Sequence, residues 1–400
     1  MKYPALLLLS WVTVGVVGCQ STSLTSTSLT KPSDQHPDCV QTYRAEQDYF
    51  PEKVTIQYAQ GFEVDYHKHY KVISVKNPWR NAAQTFQYVL VQCGTPTPDG
   101  FDPAQVVQVP VRRVVMLSTT HLGHLEKLKL LDTLVGMSNP KLVYSKTVQE
   151  KLQQNQVLAV GSNASLNIET VLDLAPDLVT TYGTGNPKND AHPKLLEAGL
   201  PVAINAEYME SSPLGKAEWM KFTALFFNQE NIANQQFELI AQRYQSIAAI
   251  AQKAQRKPTV LTGFSSSGTW YQPGGKSYVA QLIKDAGGVY LGGNNGDRGS
   301  TPMSFEAVYE RALNAQVWIN GSQTWQQLSD IAKADERYQK IPAFQAGQVF
   351  NNNARVNQFG GNDYWQSGVM SPDQVLADLV KILHPELLGN HQLFYYRALK

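Results

Sequence analysis

The sequence predicts an α/β fold: two Rossmann-like lobes joined by a long α-helix, with an N-terminal β-rich extension ahead of them. Three observations predict it. First, "LNIETVLDLAPDLVTTYG" (166–183) and "MSFEAVYERALNAQVWINGS" (303–322) repeat one pattern. Each has a small polar residue able to cap a helix (Asn167, Ser304) and a glutamate two places on (Glu169, Glu306). An apolar helix face follows, and then a short apolar strand running into Gly-containing polar residues. Second, strand-like and helix-like runs alternate on both sides of the chain's middle, as parallel sheets covered by helices require. Third, the stretch from Glu218 to Gln255 keeps a helical period without one proline or glycine.

The chain opens with "MKYPALLLLSWVTVGVVGC". Its apolar run, Ala5 to Val17, has the length of a signal-peptide core and falls short of the roughly 20 residues a membrane span needs. Gly18 directly before Cys19 resembles the bacterial lipoprotein box, which predicts a signal peptide over 1–18 and lipidation of Cys19; a secretory signal with an incidental cysteine is the simpler alternative. Residues 19–38 are Ser/Thr-rich and polar, the composition of a flexible tether. Residues 39–108 alternate apolar and polar positions, as in "KVTIQYAQGFEVDYHKHYKVISV" and "TFQYVLVQCG", and predict three or four antiparallel strands. There His67 and His69 would share one strand face, where a solvent-facing strand explains them better than a metal does, since no third ligand is near.

From Val109 the pattern turns to βα units. "RRVVMLS" reads as a buried strand, "TTHLGHLEKLKLLDTLVGMS" as a helix entering a second, and "QNQVLAVG" and "HPKLLEAGLPVAINA" complete a lobe over 109–217. Residues 218–256 predict two consecutive helices with a joint near Asn228, the second about 25 residues long. After Lys257-Pro258 the pattern restarts with "TVLTGFSSSG", "GGKSYVAQLIKDAGGVY", the repeated segment and "GQVFNNN". It closes on the capped helix "SPDQVLADLVKILHP", giving a second lobe over 257–400.

Composition narrows the function. A length of 400 residues implies more than one compact unit. With 34 basic and 33 acidic residues and no basic run, nucleic acid is excluded as a partner. Apart from Cys19, Cys39 and Cys93 form an even pair in an exported setting, which favours a disulfide over two buried thiols. "GFSSSG" (263–268) is not a G-x-S-x-G elbow, and no histidine lies near it in the second lobe. Glu169 and Glu306 stand at helix starts on separate lobes, too far apart for a glycosidase pair. A bare metal site needs ligands from both lobes, but His121, His124 and His192 belong to the first, and His384 and His391 lie in or beyond the last helix.

Over about residues 109–385 the chain resembles the periplasmic substrate-binding proteins of ABC importers, in the group with a long inter-lobe helix that serves iron-siderophores, haem and cobalamin. "RRVVMLSTTHLGHLEKLKLLDTLVG", "LNIETVLDLAPDLV", "EWMKFTALFF", "SYVAQLIKDAGG" and "SFEAV" carry the resemblance by order and spacing. It implies a binding function with no catalysis and no cofactor, the bound ligand being a metal chelate, most simply a ferric siderophore, with haem or cobalamin next. A bare-metal binder or a chelatase-like scaffold is a further alternative. It also implies a monomer held at the membrane by its lipid in the periplasm, with ABC permease and ATPase subunits as partners. One glutamate per lobe, Glu169 and Glu306, would dock to the permease; an acid in a first helical turn is also favourable by itself. Ligand contacts are expected just beyond strand ends. In the first lobe these are Thr119, Thr120, His121, Tyr182 and Tyr208; in the second they are Trp270, Tyr271, Arg298, Asn320, Arg355, Tyr364 and Trp365. The aromatic members suit a bulky chelate and the arginines a carboxylate. "WYQPGGKSY" is the strongest single segment, because core packing poorly explains an aromatic pair beside Pro-Gly-Gly.

Overall fold

The structure is a computed structural model describing residues 37–400, except 163–164 and 294–295. The signal segment 1–18, Cys19 and the tether up to residue 36 lie outside the described residues.

Each lobe is built on a five-stranded sheet. In the first, all strands are parallel, in the order Val202–Ile204, Leu178–Thr181, Val114–Met116, Leu134–Met137, Leu158–Ala159. Val114, Val115 and Met116 are each 0% exposed, as an apolar run covered on both faces should be. In the second lobe the order is Val289–Tyr290, Thr259–Thr262, Val317–Ile319, Val349–Asn351, and then an antiparallel edge strand, Arg397–Ala398. With the edge strands Leu158–Ala159 and Arg397–Ala398 left out, the four remaining strands of each lobe, numbered along the chain, share one spatial order, second-first-third-fourth. The first lobe adds an edge strand beside its second strand, and the other lobe adds one beside its fourth. The repeated sequence pattern falls at the same place in both, as the helix entering the third strand: Ile168–Asp173 into Leu178–Thr181, and Phe305–Ala312 into Val317–Ile319.

Two helices join the lobes, Pro213–Leu225 and Glu230–Ala251. The joint holds Asn228 at φ +53°, a left-handed conformation that asparagine tolerates better than most residues. The second helix has 22 residues, about 33 Å of rod. Every residue of the first is buried, Lys216, Glu218 and Lys221 included. Part of that burial comes from the second linking helix and the second lobe, against which Leu214, Ala217, Met220 and Ala224 pack, and part from the N-terminal extension, whose strands are Phe62–Tyr66, Tyr70–Val75, Phe86–Gln92 and Val106–Val109. Three of them pair antiparallel as expected, but Val106–Val109 runs parallel to Phe86–Gln92, correcting an all-antiparallel reading.

The extension shares the core of the first lobe. Phe62, Ile73, Tyr88 and Leu90 pack in one cluster with Met116, Leu122, Trp219 and Phe222. Polar groups at this junction are paired, as burial demands. The Glu218 carboxylate accepts the N–H groups of Gln57, Tyr58 and Ala59 at 2.7–3.0 Å and the Lys221 ammonium at 2.8 Å. Glu210 accepts from Gln60, Gly61 and the Trp219 indole. Lys71, 0% exposed, reaches the joint and donates to Glu230 at 2.7 Å, Asn228 Oδ1 at 2.9 Å and the Leu225 carbonyl at 2.6 Å. Cys39 and Cys93 are disulfide-bonded, with Cα atoms 4.8 Å apart.

The paired histidines of the extension do not share a strand face. His67 and His69 fall in the turn between the first two strands, where His67 stacks on Tyr70 and His69 Nδ1 lies 3.3 Å from the Tyr43 hydroxyl. Among the described residues no three His, Cys, Asp or Glu side chains converge as metal ligands.

Candidate functional site

The carboxyl ends of the two sheets face each other. The segment after Leu134–Met137 meets the segment after Val349–Asn351. Asn357 Nδ2 donates to the carbonyls of Lys141 (2.9 Å) and Val143 (2.8 Å). Gln366 Oε1 accepts from the N–H groups of Tyr144 (2.9 Å) and Ser145 (3.4 Å). Close approach is built in, since a Cβ on Gly361 would stand 2.3 Å from the Leu142 carbonyl, and one on Gly123 2.4 Å from that of Gln366. These contacts form a strap along one side of the inter-lobe space. Arg355 belongs to it, with Nε 2.6 Å from Asp363 Oδ2 and its guanidinium 5.0 Å from the Tyr144 ring and 4.2 Å from that of Phe394.

Several expected contact residues follow closely on sheet strands and keep some surface, whereas Tyr271 lies within the strand Thr269–Pro273 and Trp365 within the short helix Asp363–Gln366. Thr119 and Thr120, half-buried, begin the helix after Val114–Met116, and Thr120 Oγ1 lies 2.9 Å from Ser118 Oγ. Asn320, at φ +55° after Val317–Ile319, accepts the Tyr396 hydroxyl at 2.8 Å. Tyr182 is half-buried; Tyr208 is exposed and donates to the Gly183 carbonyl at 2.6 Å. The Tyr208 hydroxyl pKa is pushed up to about 12, by burial first and then by Asp190, Glu207 and Tyr182, so it stays a donor. Tyr271, Arg298 and Trp365 are exposed.

Three expected contacts are corrected. Trp270 is 0% exposed, because alternation along Thr269–Pro273 turns it inward and Tyr271 outward. Its indole donates to the Thr262 carbonyl at 2.9 Å and packs against Phe305, Trp318 and Tyr338. Tyr364 is buried edge-on against Tyr395 and Tyr396. His121 is buried with Nδ1 3.3 Å from Thr180 Oγ1, and burial lowers its pKa to about 4, so it is neutral. Sequence reasoning missed the floor between the lobes, where Lys216 Nζ lies 3.7 Å from Glu207 Oε2 and 5.1 Å from the Tyr278 ring of the other lobe. Lys216 gave no signal, because a charged residue in a helix normally marks the wet face.

Two cavities, of about 510 and 560 Å³, lie on the outer edge of the second lobe. The first runs along the edge strand Val289–Tyr290, beside Lys257, Lys284 and Arg311; the second adjoins Ser304, where the Glu306 helix begins.

The two glutamates are matched in setting. Glu169 is the second residue of a helix capped by Asn167 Oδ1, which accepts from Thr170 N at 3.1 Å. Glu306 is the second residue of a helix capped by Ser304 Oγ, which accepts from Ala307 N at 3.3 Å. Both are exposed. Glu306 also has a neighbour, Arg337 Nη1 at 3.5 Å, in an exposed pair that solvent screens.

A family model for periplasmic binding proteins matches residues 114–355. The chain belongs to this family of periplasmic binding proteins. An uncharacterized lipoprotein of Methanocaldococcus jannaschii is 29% identical to this binding protein over 305 residues, 74% of this chain and 70% of its own. Another from that organism is 27% identical over 414 aligned residues and 99% of both chains, so its match takes in the N-terminal extension. Among solved structures, a possible iron-binding periplasmic solute-binding protein of Staphylococcus epidermidis superposes with a TM-score of 0.54 at 17% identity, covering 69% of this chain and 99% of its own. A periplasmic heme binding protein of Pseudomonas aeruginosa gives 0.51 at 19% identity, with 69% and 94% covered. At such identities the likeness is one of fold. No helix among the described residues of this binding protein is long and apolar enough to cross a membrane.

Proposed function

We propose that this binding protein, anchored by lipid at Cys19 on the periplasmic side of the cell envelope, captures a metal chelate between its lobes and delivers it to the permease and ATPase subunits of an ABC importer. A ferric siderophore is the favoured cargo; the haem-binding neighbour of the same fold supports haem as the second choice. The observation that carries the reading is the duplication. Two sheets that share four strands in one order, facing each other by their carboxyl ends, each present an exposed glutamate at the second position of the helix entering the third of those strands. A permease with two-fold symmetry offers two like pockets, and paired charge-assisted contacts fix the orientation of docking more than they add affinity.

The protein's part is binding alone. The strap and the helix pair hold the lobes at two places, so capture proceeds with modest lobe movement. The test separates docking from capture. Glu169→Ala combined with Glu306→Ala is expected to abolish uptake in cells while cargo affinity stays within about twofold, as for charges lying outside the cleft. A tenfold loss of affinity would place the glutamates in the cargo site instead. Calorimetry against ferric siderophores, haemin, cobalamin and free metal ions identifies the cargo.

A further inference from the structure

The N-terminal sheet precedes the family match, which begins at residue 114. Its second and third strands are joined by residues 76–85, and this loop reaches over the carboxyl end of Leu178–Thr181. The Trp79 indole rests on two glycines there. A Cβ on Gly183 would stand 2.5 Å from Trp79 Cε3, and one on Gly185 2.7 Å from Trp79 Nε1, so neither position accepts a side chain without displacing the ring. Phe86 and His192 pack on the same indole, each with ring centroids 5.7 Å away. The Tyr208 hydroxyl, bonded to the Gly183 carbonyl, also lies 3.4 Å from that of Pro78. The lobe's side of the contact is rigid: Asp190 accepts from Thr184 N, Thr184 Oγ1 and Gly185 N at 2.7–2.9 Å. Loop and lobe are fitted to one another.

Sheet order fixes which side of the inter-lobe space this is. In the first lobe the strap follows Leu134–Met137, on one side of the central strand Val114–Met116; Trp79 sits over Leu178–Thr181, on the other. In the second lobe the strap follows Val349–Asn351, so the segments after Thr259–Thr262 and Val289–Tyr290, which carry Tyr271 and Arg298, also lie on the side away from it. The strap therefore borders one side, and the loop carrying Trp79 borders the other with Tyr182 and Tyr208. Two carboxylates of this side of the lobe are withdrawn: Asp190 is 2% exposed and bonded as above, and Glu207 is 3% exposed beside Lys216. Arg80, next to Trp79, is exposed.

We propose that loop 77–85 of the N-terminal sheet is a wall of the cargo cleft, pinned by Trp79 as a positioning residue, and that Arg80 on it selects a negatively charged chelate. The inference rests on the chelate-carrier reading above. The wall supplies a surface that the two lobes alone do not provide, and its cation discriminates by charge.

The test uses the full-length chain and calorimetry with four probes: ferric enterobactin and haemin as anions, ferrichrome and cobalamin without net negative charge. Arg80→Glu, on an exposed position, is expected to weaken an anionic probe by about tenfold or more and to leave ferrichrome within about twofold, a split that a merely structural role would not give. Trp79→Ala is expected to reduce the preference for anionic over neutral probes by about fivefold; if it lowers the melting temperature, Trp79→Phe is read in its place. Variants that bind every probe like the parent overturn the wall while the carrier reading stands. A parent that takes ferrichrome but no anion overturns the charge selection. A parent that binds none of the four overturns the carrier reading and the wall together.

Discussion

His121 and His124 lie three residues apart on the helix Thr120–Leu128, both fully enclosed, with Nδ1 of each facing a threonine hydroxyl. Burial lowers their pKa values to about 4 and about 3, against 6.5 for a free imidazole. The unfolded chain therefore takes up protons that the folded chain refuses. Stability is full above pH 6.5 and is lost as pH falls toward the folded values, by on the order of 2 kcal/mol per histidine between pH 6.5 and 5. Buried carboxylates with raised pKa values (Glu126, Asp285 and Asp373) act in the opposite sense. The clean measurement is thus a difference: urea unfolding at pH 7.5 and 5 for the parent and for His124→Asn, with the smaller acid loss expected in the variant. Equal losses would mean that His124 is not held neutral. His121, expected just beyond a strand end, stands in the first turn of the helix that follows and is buried, because the residues that close over it, Thr180 among them, come from elsewhere in the chain. Trp270 failed for a local reason that was available: period-two alternation allows only one of two adjacent aromatics to face solvent.

Among the elements, the joint between the linking helices concentrates the most consequence in the fewest atoms. Lys71 comes from the extension, Glu230 opens the second helix, and Asn228 turns the chain between them. Glu230→Ala would leave the Lys71 ammonium enclosed with only neutral acceptors, an expected loss of about 3–5 kcal/mol. Replacing both partners by methionine should restore most of that loss. Denaturant midpoints of the single and double variants check it, and a single variant within 1 kcal/mol of the parent would contradict the burial argument. The two helices and their break were legible, because helical period and the absence of proline and glycine are local signals. The parallel pairing of Val106–Val109 was not, since a strand's sequence carries its alternation but not the direction of its neighbour. The merging of the extension with the first lobe's core was equally hidden: nothing local marks Glu218 and Lys221 as buried, since their partners are backbone N–H and carbonyl groups from residues 55–59.

At the scale of the whole molecule, duplication was the most legible property, since the same words recur at the same topological place in both lobes. The borders of the space between the lobes were the least legible. They are made by loops 139–145, 355–366 and 77–85, whose sequences carry no period and whose meeting depends on how three sheets are set together. The disulfide bears on how the body would hang from the lipid anchor proposed at Cys19. Cys39 stands ahead of the first strand, Phe62–Tyr66, and its partner Cys93 directly follows the strand Phe86–Gln92. A pull arriving from the N-terminal side thus crosses the sulfur bridge into the middle of a four-stranded sheet and bypasses the intervening chain from 40 to 92. With that bridge oxidised, tension on the proposed anchor would swing the body as one piece instead of peeling away its first strands.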